Sequence, residues 1–172
     1  DIVDAAGANQ AAVNYHFGGK DGLYRATLEM LARRTQEEVP RESPELRALP
    51  PEEQLRAFTR VMLGRFLGGA EASPMSRIIA HELLDPTPAF DDMLRDVVGP
   101  QFARLTQIVG ALLGPRAGEE EIKFSGFSVA GQWAFFLFGR QAFGHLMPEI
   151  AGDAALLDRL AERIASFSIA AL

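Results

Sequence analysis

The chain contains no cysteine, and this absence excludes two classes of protein. Without a thiol among its 172 residues, it is neither a disulfide-stapled scaffold nor a thiolate metal protein. An excess of basic charge is also missing: the net charge is −6, which argues against general binding to nucleic acid. No apolar run reaches membrane-spanning length without a charged residue or glycine. We therefore expect a globular cytoplasmic protein with no membrane partner.

Sustained alternation of polar and apolar residues is missing as well, so the sequence favours helices over strands throughout. Prolines or capping side chains mark helix starts at four places: Pro51, Ser73 before Pro74, Thr87 before Pro88, and Asp153. Gly99 and Pro100 predict a kink or split in a helix, and residues 119–147 predict one long helix. The proline-rich residues 40–51 predict a loop. We expect an all-α fold.

A short stretch near the start of the chain carries the most specific signal. The segment DIVDAAGANQAAVNYHF reads as the end of one helix, a turn at Gly7 and a short second helix, which is the pattern of a helix-turn-helix. The residues then expected to face DNA are Asn9, Gln10, Ala11, Asn14, Tyr15, His16 and Lys20. Asparagine and glutamine pair with adenine, alanine packs on a thymine methyl, and the other side chains donate to phosphates. The residues alone leave an αα-hairpin equally open, and we expect Phe17 to be buried in either case.

The stretch VNYHFGGKDGLYRATLE resembles the end of the DNA-recognition helix and the start of the next helix in TetR-family transcriptional regulators. The residues that match this frame are Val13, Phe17, Gly19, Lys20, Asp21, Leu23 and Leu28. The sequence departs from the family at Asn14, where tyrosine is usual, and Tyr15 stands one place later. Three further segments are similar to a CecR-like subgroup: SRIIAHELLDPTPAF, GPQFARLTQIV and SVAGQWAFFLFGR. The resemblance implies a regulator that binds operator DNA and responds to a small-molecule effector.

The proline-rich residues 40–51 are the expected boundary inside the chain. We predict a partial helix-turn-helix module with its connecting helix in residues 1–38, and a helical ligand-binding and dimerisation domain in residues 39–172. The opening DIVDAAG begins in mid-pattern, so we expect the first helix of the module to precede it and operator binding to need the full-length protein. The alternative is a helical small-molecule-binding or scaffold protein without a DNA function.

Phenylalanine is concentrated in one segment of the chain. Six of the twelve phenylalanines lie between Phe124 and Phe143, together with the single tryptophan, Trp133. Apolar side chains point nearly all round the predicted helix, so both of its sides need cover. We expect the protein's own core on one side and a second copy on the other, with residues 153–172 also in the interface. The resemblance implies the same homodimer through the last two helices, and a central helix in a monomeric bundle is the alternative.

The middle helices carry more aromatic, methionine and branched side chains than a small bundle needs. The apolar candidates for lining a ligand cavity are Phe58, Met62, Phe66, Met75, Ile79, Phe102 and Leu105, and the polar candidates are Arg77, His81, Glu82 and Gln132. On residue type alone, the seven apolar side chains are equally suited to filling a core. The resemblance favours a cavity between these helices.

Signatures of an enzyme are missing. His81 and Asp85 stand one helical turn apart, but the spacing suggests no third ligand, so we expect no metal site. The serines near His81 lack a nucleophile elbow, and GGKDG lacks the spacing of a phosphate-binding loop. We expect no catalytic residue and no cofactor.

Overall fold

The computed structural model describes residue 7 and residues 9–38, 44–67, 74–151 and 153–172. Every regular element in these ranges is helical, which confirms the all-α prediction. The helices are α1 Gln10–Phe17, α2 Lys20–Glu38, α3 Pro44–Ala48, α4 Pro51–Leu67, α5 Pro74–Leu84, α6 Phe90–Met93, α7 Gly99–Leu113, α8 Glu119–Phe138, α9 Arg140–Leu146 and α10 Ala154–Ala171. A π-helical turn covers Leu94–Val98, and a 3-10 turn covers Pro148–Ala151. The helix expected before Gly7, and the expected cap Ser73, lie outside the described residues.

Several helix starts follow directly from local chemistry. Pro51 is the first residue of α4, where its missing N–H leaves no hydrogen bond unmade. The Asp153 carboxylate caps α10 by accepting a hydrogen bond from the Leu156 amide at 3.0 Å. The helix expected at Pro88 begins later, at Phe90. The Thr87 hydroxyl instead accepts a hydrogen bond from the Ala89 amide and donates one to the Glu82 carboxylate. Residues 87–89 therefore form a turn.

Residues 40–51 are not one loop, because α3 lies within them. The Gln54 side chain, on α4, donates to the carbonyl oxygens of Arg47 at 3.1 Å and Leu49 at 2.7 Å. These bonds satisfy carbonyl groups at the end of α3 that have no partner inside so short a helix. The sequence prediction missed this element because its support comes from a side chain on the next helix.

The single long helix predicted for residues 119–147 is wrong. The chain breaks at Gly139 into α8 and α9. The Gly139 amide donates to the Phe135 carbonyl at 2.8 Å, and a Cβ at Gly139 would lie 2.7 Å from that same oxygen. The close approach is therefore open to glycine, which has no Cβ.

The predicted break at Gly99 and Pro100 takes the form of a π-helical turn. The Gly99 amide donates to the carbonyl of Leu94, five residues back. A Cβ at Gly99 would lie 2.8 Å from that oxygen. Glycine thus permits the wide turn, and Pro100 then occupies the first turn of α7, where it needs no hydrogen-bond donor.

Two hydrophobic clusters organise the helices. In the main cluster, α4 packs against α7, α8 and, most extensively, α10. Salt bridges from Arg56 to Glu162 and from Arg60 to Asp158 span the α4–α10 contact. The second cluster joins Leu31 and Ala32 of α2 to Met75, Met93 and Val97. The connecting helix α2 is therefore anchored on the larger helical body.

None of the described helices combines the length and the apolar character needed to cross a membrane.

Candidate functional site

Helix α1 presents most of its polar and aromatic side chains to solvent. Ala11, Asn14 and His16 are exposed, and Tyr15 is 85% exposed. The rings of Tyr15 and His16 meet edge to face, with centroids 5.0 Å apart. Aromatic side chains stabilise a fold when they are buried. Those of α1 are exposed beside neutral polar groups, which suits a surface that contacts a partner.

Glycines set the angle between α1 and α2. Gly18 has φ 72° and Gly19 has φ 118°, a left-handed region that other residues avoid. The Gly18 amide closes α1 by donating to the Asn14 carbonyl at 3.0 Å. A Cβ at Gly22 would overlap the Phe17 carbonyl, so α2 approaches α1 as closely as a backbone allows. Lys20 then lies exposed at the first position of α2.

The structure changes the reading of two predicted residues at this site. Asn9 was expected to reach a base, but its side-chain oxygen accepts a hydrogen bond from the Ala12 amide at 2.8 Å and caps α1. Phe17 was expected to be buried, and it is 42% exposed at the end of α1; of the helices in the described ranges, α2 is the one that packs extensively against α1. The side chain of Gln10 lies outside the described residues. The DNA contacts of this group stay a prediction.

A cavity of about 160 Å³ lies between α4, α5, α7 and α8. All seven of the apolar candidates line it: Phe58, Met62, Phe66, Met75, Ile79, Phe102 and Leu105. The sequence missed Trp133, Ala130, Ala134, Leu137, Leu83 and Val98, which also line it. Helical periodicity could have identified the four lining residues on α8, because Ala130, Trp133, Ala134 and Leu137 recur at spacings of three, one and three. That these side chains hold a ligand stays a prediction.

None of the four polar candidates is among the residues that line the cavity. Arg77 and His81 border a separate cleft between α2 and α5, and Glu82 bonds to Tyr24 on α2. The Gln132 amide donates to the Ser168 hydroxyl at 2.9 Å and ties α8 to α10. The polar groups that do line the cavity are Arg65, Ser76 and Gln101.

Arg65 and Gln101 face each other in the cavity wall. The Arg65 guanidinium donates to the Gln101 side-chain oxygen at 3.1 Å and lies 3.8 Å from the Met62 sulfur. The Ser76 hydroxyl donates to the Arg65 backbone carbonyl at 3.2 Å. Residue type gives no sign that a long polar side chain turns inward, because arginine is mostly found on solvated faces.

One buried carboxylate links α2 to α5. Glu82 is fully buried and accepts hydrogen bonds from the Tyr24 hydroxyl at 2.6 Å, the Thr87 amide at 3.0 Å and the Thr87 hydroxyl at 2.8 Å. Burial alone would raise the pKa of Glu82, but these bonds, first the one from Tyr24, bring it below the ordinary value. Burial and the contact with Glu82 raise the pKa of Tyr24 to about 12. The pair is therefore a neutral phenol donating to a charged carboxylate.

Helix α5 belongs to both the cavity and this link. Its residues Met75 and Ile79 line the cavity, whereas Glu82 contacts Tyr24 on α2. A shift of α5 would therefore act on α2, the helix that follows α1.

Four phenylalanines form an exposed stripe along α8. Phe124, Phe127, Phe135 and Phe138 recur at helical spacing and are 45–61% exposed. Phe167 on α10 is 67% exposed. We call these five side chains the phenylalanine surface. Exposed apolar groups at this density mark contact surfaces more often than plain solvated faces.

The family model of the C-terminal domain of the HTH-type transcriptional dual regulator CecR matches residues 51–172. These residues contain α4 to α10 and the whole lining of the cavity. The chain is also similar to the HTH-type transcriptional dual regulator CecR of Shigella flexneri. The two are 26% identical over 149 residues, which cover 82% of this chain and 67% of that protein.

Proposed function

Because this chain belongs to the family of the CecR C-terminal domain, we propose that it acts in a cytoplasmic transcription regulator which a small-molecule effector releases from a palindromic operator. The family match confirms the resemblance drawn from the sequence, and it is the observation that carries the proposal. The relative is named a dual regulator, and repression is the direction we propose for this chain.

The DNA-reading part of the proposal rests on α1. Its exposed Asn14, Tyr15 and His16, with Lys20 at the start of α2, offer donors to phosphates. Ala11 is exposed on the first turn, and a small apolar side chain there is suited to packing on a thymine methyl. The net charge of −6 requires that attraction to DNA come from such local groups rather than from the whole surface.

The test is binding of the full-length gene product to the DNA that flanks its own gene, measured by gel shift at low salt. We expect a specific complex that an excess of unrelated DNA does not remove. Equal affinity for both DNAs, or none for either, would favour the alternative of a helical small-molecule-binding protein without a DNA function.

The second part of the proposal is a homodimer through the phenylalanine surface. The Gln132–Ser168 hydrogen bond brings α8 and α10 together, close in sequence to Phe135 and Phe167. A two-fold contact would cover the same side chains on both copies. Phe135→Glu should yield a monomer in sedimentation at micromolar concentration. Leu84→Glu is the control, because Leu84 is 75% exposed on α5, outside this surface. A stable wild-type monomer would contradict the dimer.

The third part is the effector site in the cavity, coupled to α1 through α5 and α2. Phe66→Trp or Phe102→Trp should fill the cavity and abolish the effector response while operator binding remains. Leu84→Trp places the same indole group outside the cavity and outside the phenylalanine surface, and it should change neither property. Coupling of about 1–3 kcal/mol between the sites is sufficient for a useful shift in operator affinity. Unaltered induction in both cavity variants would refute the site.

A further inference from the structure

We propose that a second copy of the chain completes the effector cavity, by crossing α8 at Gly131 and closing the open side of the cavity. This inference rests on the proposed dimer and effector site, and it adds where the two copies cross and what their contact does. The description of the matching family and the name of the relative mention neither a dimer nor a ligand.

The cavity is not enclosed within one chain. Leu83 lines it and is 41% exposed. Three other lining residues are only partly buried, namely Val98, Ala134 and Leu137. Sites for small molecules cover about 70–90% of the surface of their ligand. One wall of such a site is therefore missing from the single chain.

The cavity wall adjoins the phenylalanine surface along α8. Ala130 and Ala134 line the cavity. Phe127 precedes Ala130 by three residues, and Phe138 follows Ala134 by four. Residues at these spacings are neighbours on the surface of a helix. A partner that covers Phe127 and Phe138 therefore reaches the edge of the cavity.

Phe102 joins the cavity to this surface directly. It lines the cavity, and its ring stacks on that of Phe127 with the centroids 4.5 Å apart and the planes 27° apart. Phe127 is 61% exposed, so the stack is open to a partner. A side chain of the partner that packs on Phe127 would hold in place a residue of the cavity wall.

The area of the phenylalanine surface fits a second copy. A phenylalanine side chain presents about 200 Å², so the exposed fractions of the five leave roughly 600 Å² uncovered on one copy. Pairing two such surfaces buries roughly 1,200 Å², which is the lower end of the range for stable interfaces. A two-fold contact therefore covers this surface without any other protein.

Gly131 marks the place where the two copies approach most closely. It is exposed, and the four phenylalanines of α8 stand four and seven residues to either side of it, on the same face. Glycine inside a helix is destabilising, and a Cβ at Gly131 would meet no atom within 4 Å among the described residues. The fold of one copy therefore gives no reason for glycine, whereas a second helix lying close against this face does. Ala134, three residues on, lines the cavity.

Gly131→Leu tests the crossing point in the full-length protein. The added side chain begins in open space in a single copy, so the variant should fold, but it would hold the two helices apart. We expect Gly131→Leu to sediment as a monomer at a micromolar concentration at which the wild type is a dimer. Gly144→Leu is the matched control and should remain a dimer, because Gly144 on α9 is also exposed and also has no atom within 4 Å of its Cβ position.

The single tryptophan reports closure from inside the cavity. Trp133 lines the cavity and is 3% exposed, so acrylamide, a small neutral quencher of tryptophan fluorescence, reaches it through the cavity. Because a closed site covers about 70–90% of its occupant, acrylamide should quench Trp133 at least about threefold less in the wild-type dimer than in the Gly131→Leu monomer. Diluting the wild type until it dissociates should raise the quenching to the same level without any variant.

The outcomes separate this inference from the proposed function. Equal quenching of Trp133 in dimer and monomer would overturn the closure while leaving the dimer and the effector site intact. A Gly131→Leu dimer as stable as that of the wild type would overturn the crossing point. A wild-type monomer would overturn this inference together with the proposed dimer.

Discussion

Removing the Tyr24 hydroxyl tests the link between α2 and α5. In Tyr24→Phe, the buried Glu82 carboxylate loses the donor at 2.6 Å and keeps the two from Thr87. A hydrogen bond to a charged group contributes about 1.5–3 kcal/mol, and part of the loss is the desolvation of the remaining partner. Tyr24→Phe should therefore lower the free energy of unfolding by about 2 kcal/mol.

Urea unfolding at pH 7 measures this change, and the chain supplies a matched control. Tyr15 is the only other tyrosine and is 85% exposed, so Tyr15→Phe should change the free energy of unfolding by no more than about 0.5 kcal/mol. A double-mutant cycle with Glu82→Gln isolates the pair. In that background Tyr24→Phe should cost less by about 1 kcal/mol, because the amide is neutral.

Two results would refute the reasoning. The first is that Tyr24→Phe and Tyr15→Phe have equal stability, and the second is a coupling energy near zero in the cycle. If the link is present, the same Tyr24→Phe variant of the full-length protein should also show a weaker effect of effector on operator affinity.

Three further predictions concern the close approach of α1 and α2 at Gly22, the phosphate contact proposed for Lys20, and the pH dependence of the Tyr24–Glu82 link. Gly22→Ala should weaken operator binding by more than about tenfold in gel shifts, because the methyl group overlaps the Phe17 carbonyl; Gly64→Ala meets no atom within 4 Å and should instead raise the free energy of unfolding by about 0.5–1 kcal/mol. Lys20→Ala should weaken binding to all DNA sequences alike and lower the salt slope by about 1, and a loss confined to the operator would contradict a phosphate contact. Because the pKa of Glu82 is lowered by folding from its ordinary 4.5, its stabilising effect is complete above about pH 4.5 and is lost as the pH falls through the folded value. The difference between wild type and Tyr24→Phe in urea midpoint should therefore shrink on acidification, and a difference independent of pH would contradict a charged Glu82.

Local chemistry could be read from the sequence wherever a residue acts on its own neighbours. Asp153 caps the helix that follows it, and Gly99 with Pro100 marks the break before α7. Asn9 belongs to the same class: a side chain at a helix start caps it before it is available to a partner. Gly139 was missed because a single glycine inside an apolar pattern is tolerated in many helices.

Contacts between distant residues were harder to predict. Helical spacing brought the seven apolar candidates to one cavity, since apolar side chains on neighbouring helices turn toward the same interior. The same pattern cannot tell which polar residue turns inward with them. Gln132 lies on α8 beside Trp133 and bonds to Ser168, whereas Arg65 joins the wall because Gln101 lies opposite. The Tyr24–Glu82 pair joins residues 58 positions apart, and no local signal announces it.

The π-helical turn before α7 makes the length of this segment as important as its residues. A turn closed from Gly99 to Leu94 holds one residue more than an α-helical turn, and each residue of an α-helix advances the side-chain direction by about 100°. Deleting one residue here would restore a plain α-helix and rotate one half against the other. Met93 packs in the second cluster and Phe102 lines the cavity. After that rotation, the helix could not direct both side chains to these places at once. Relatives are therefore expected to vary in the identity of these five residues while keeping their number.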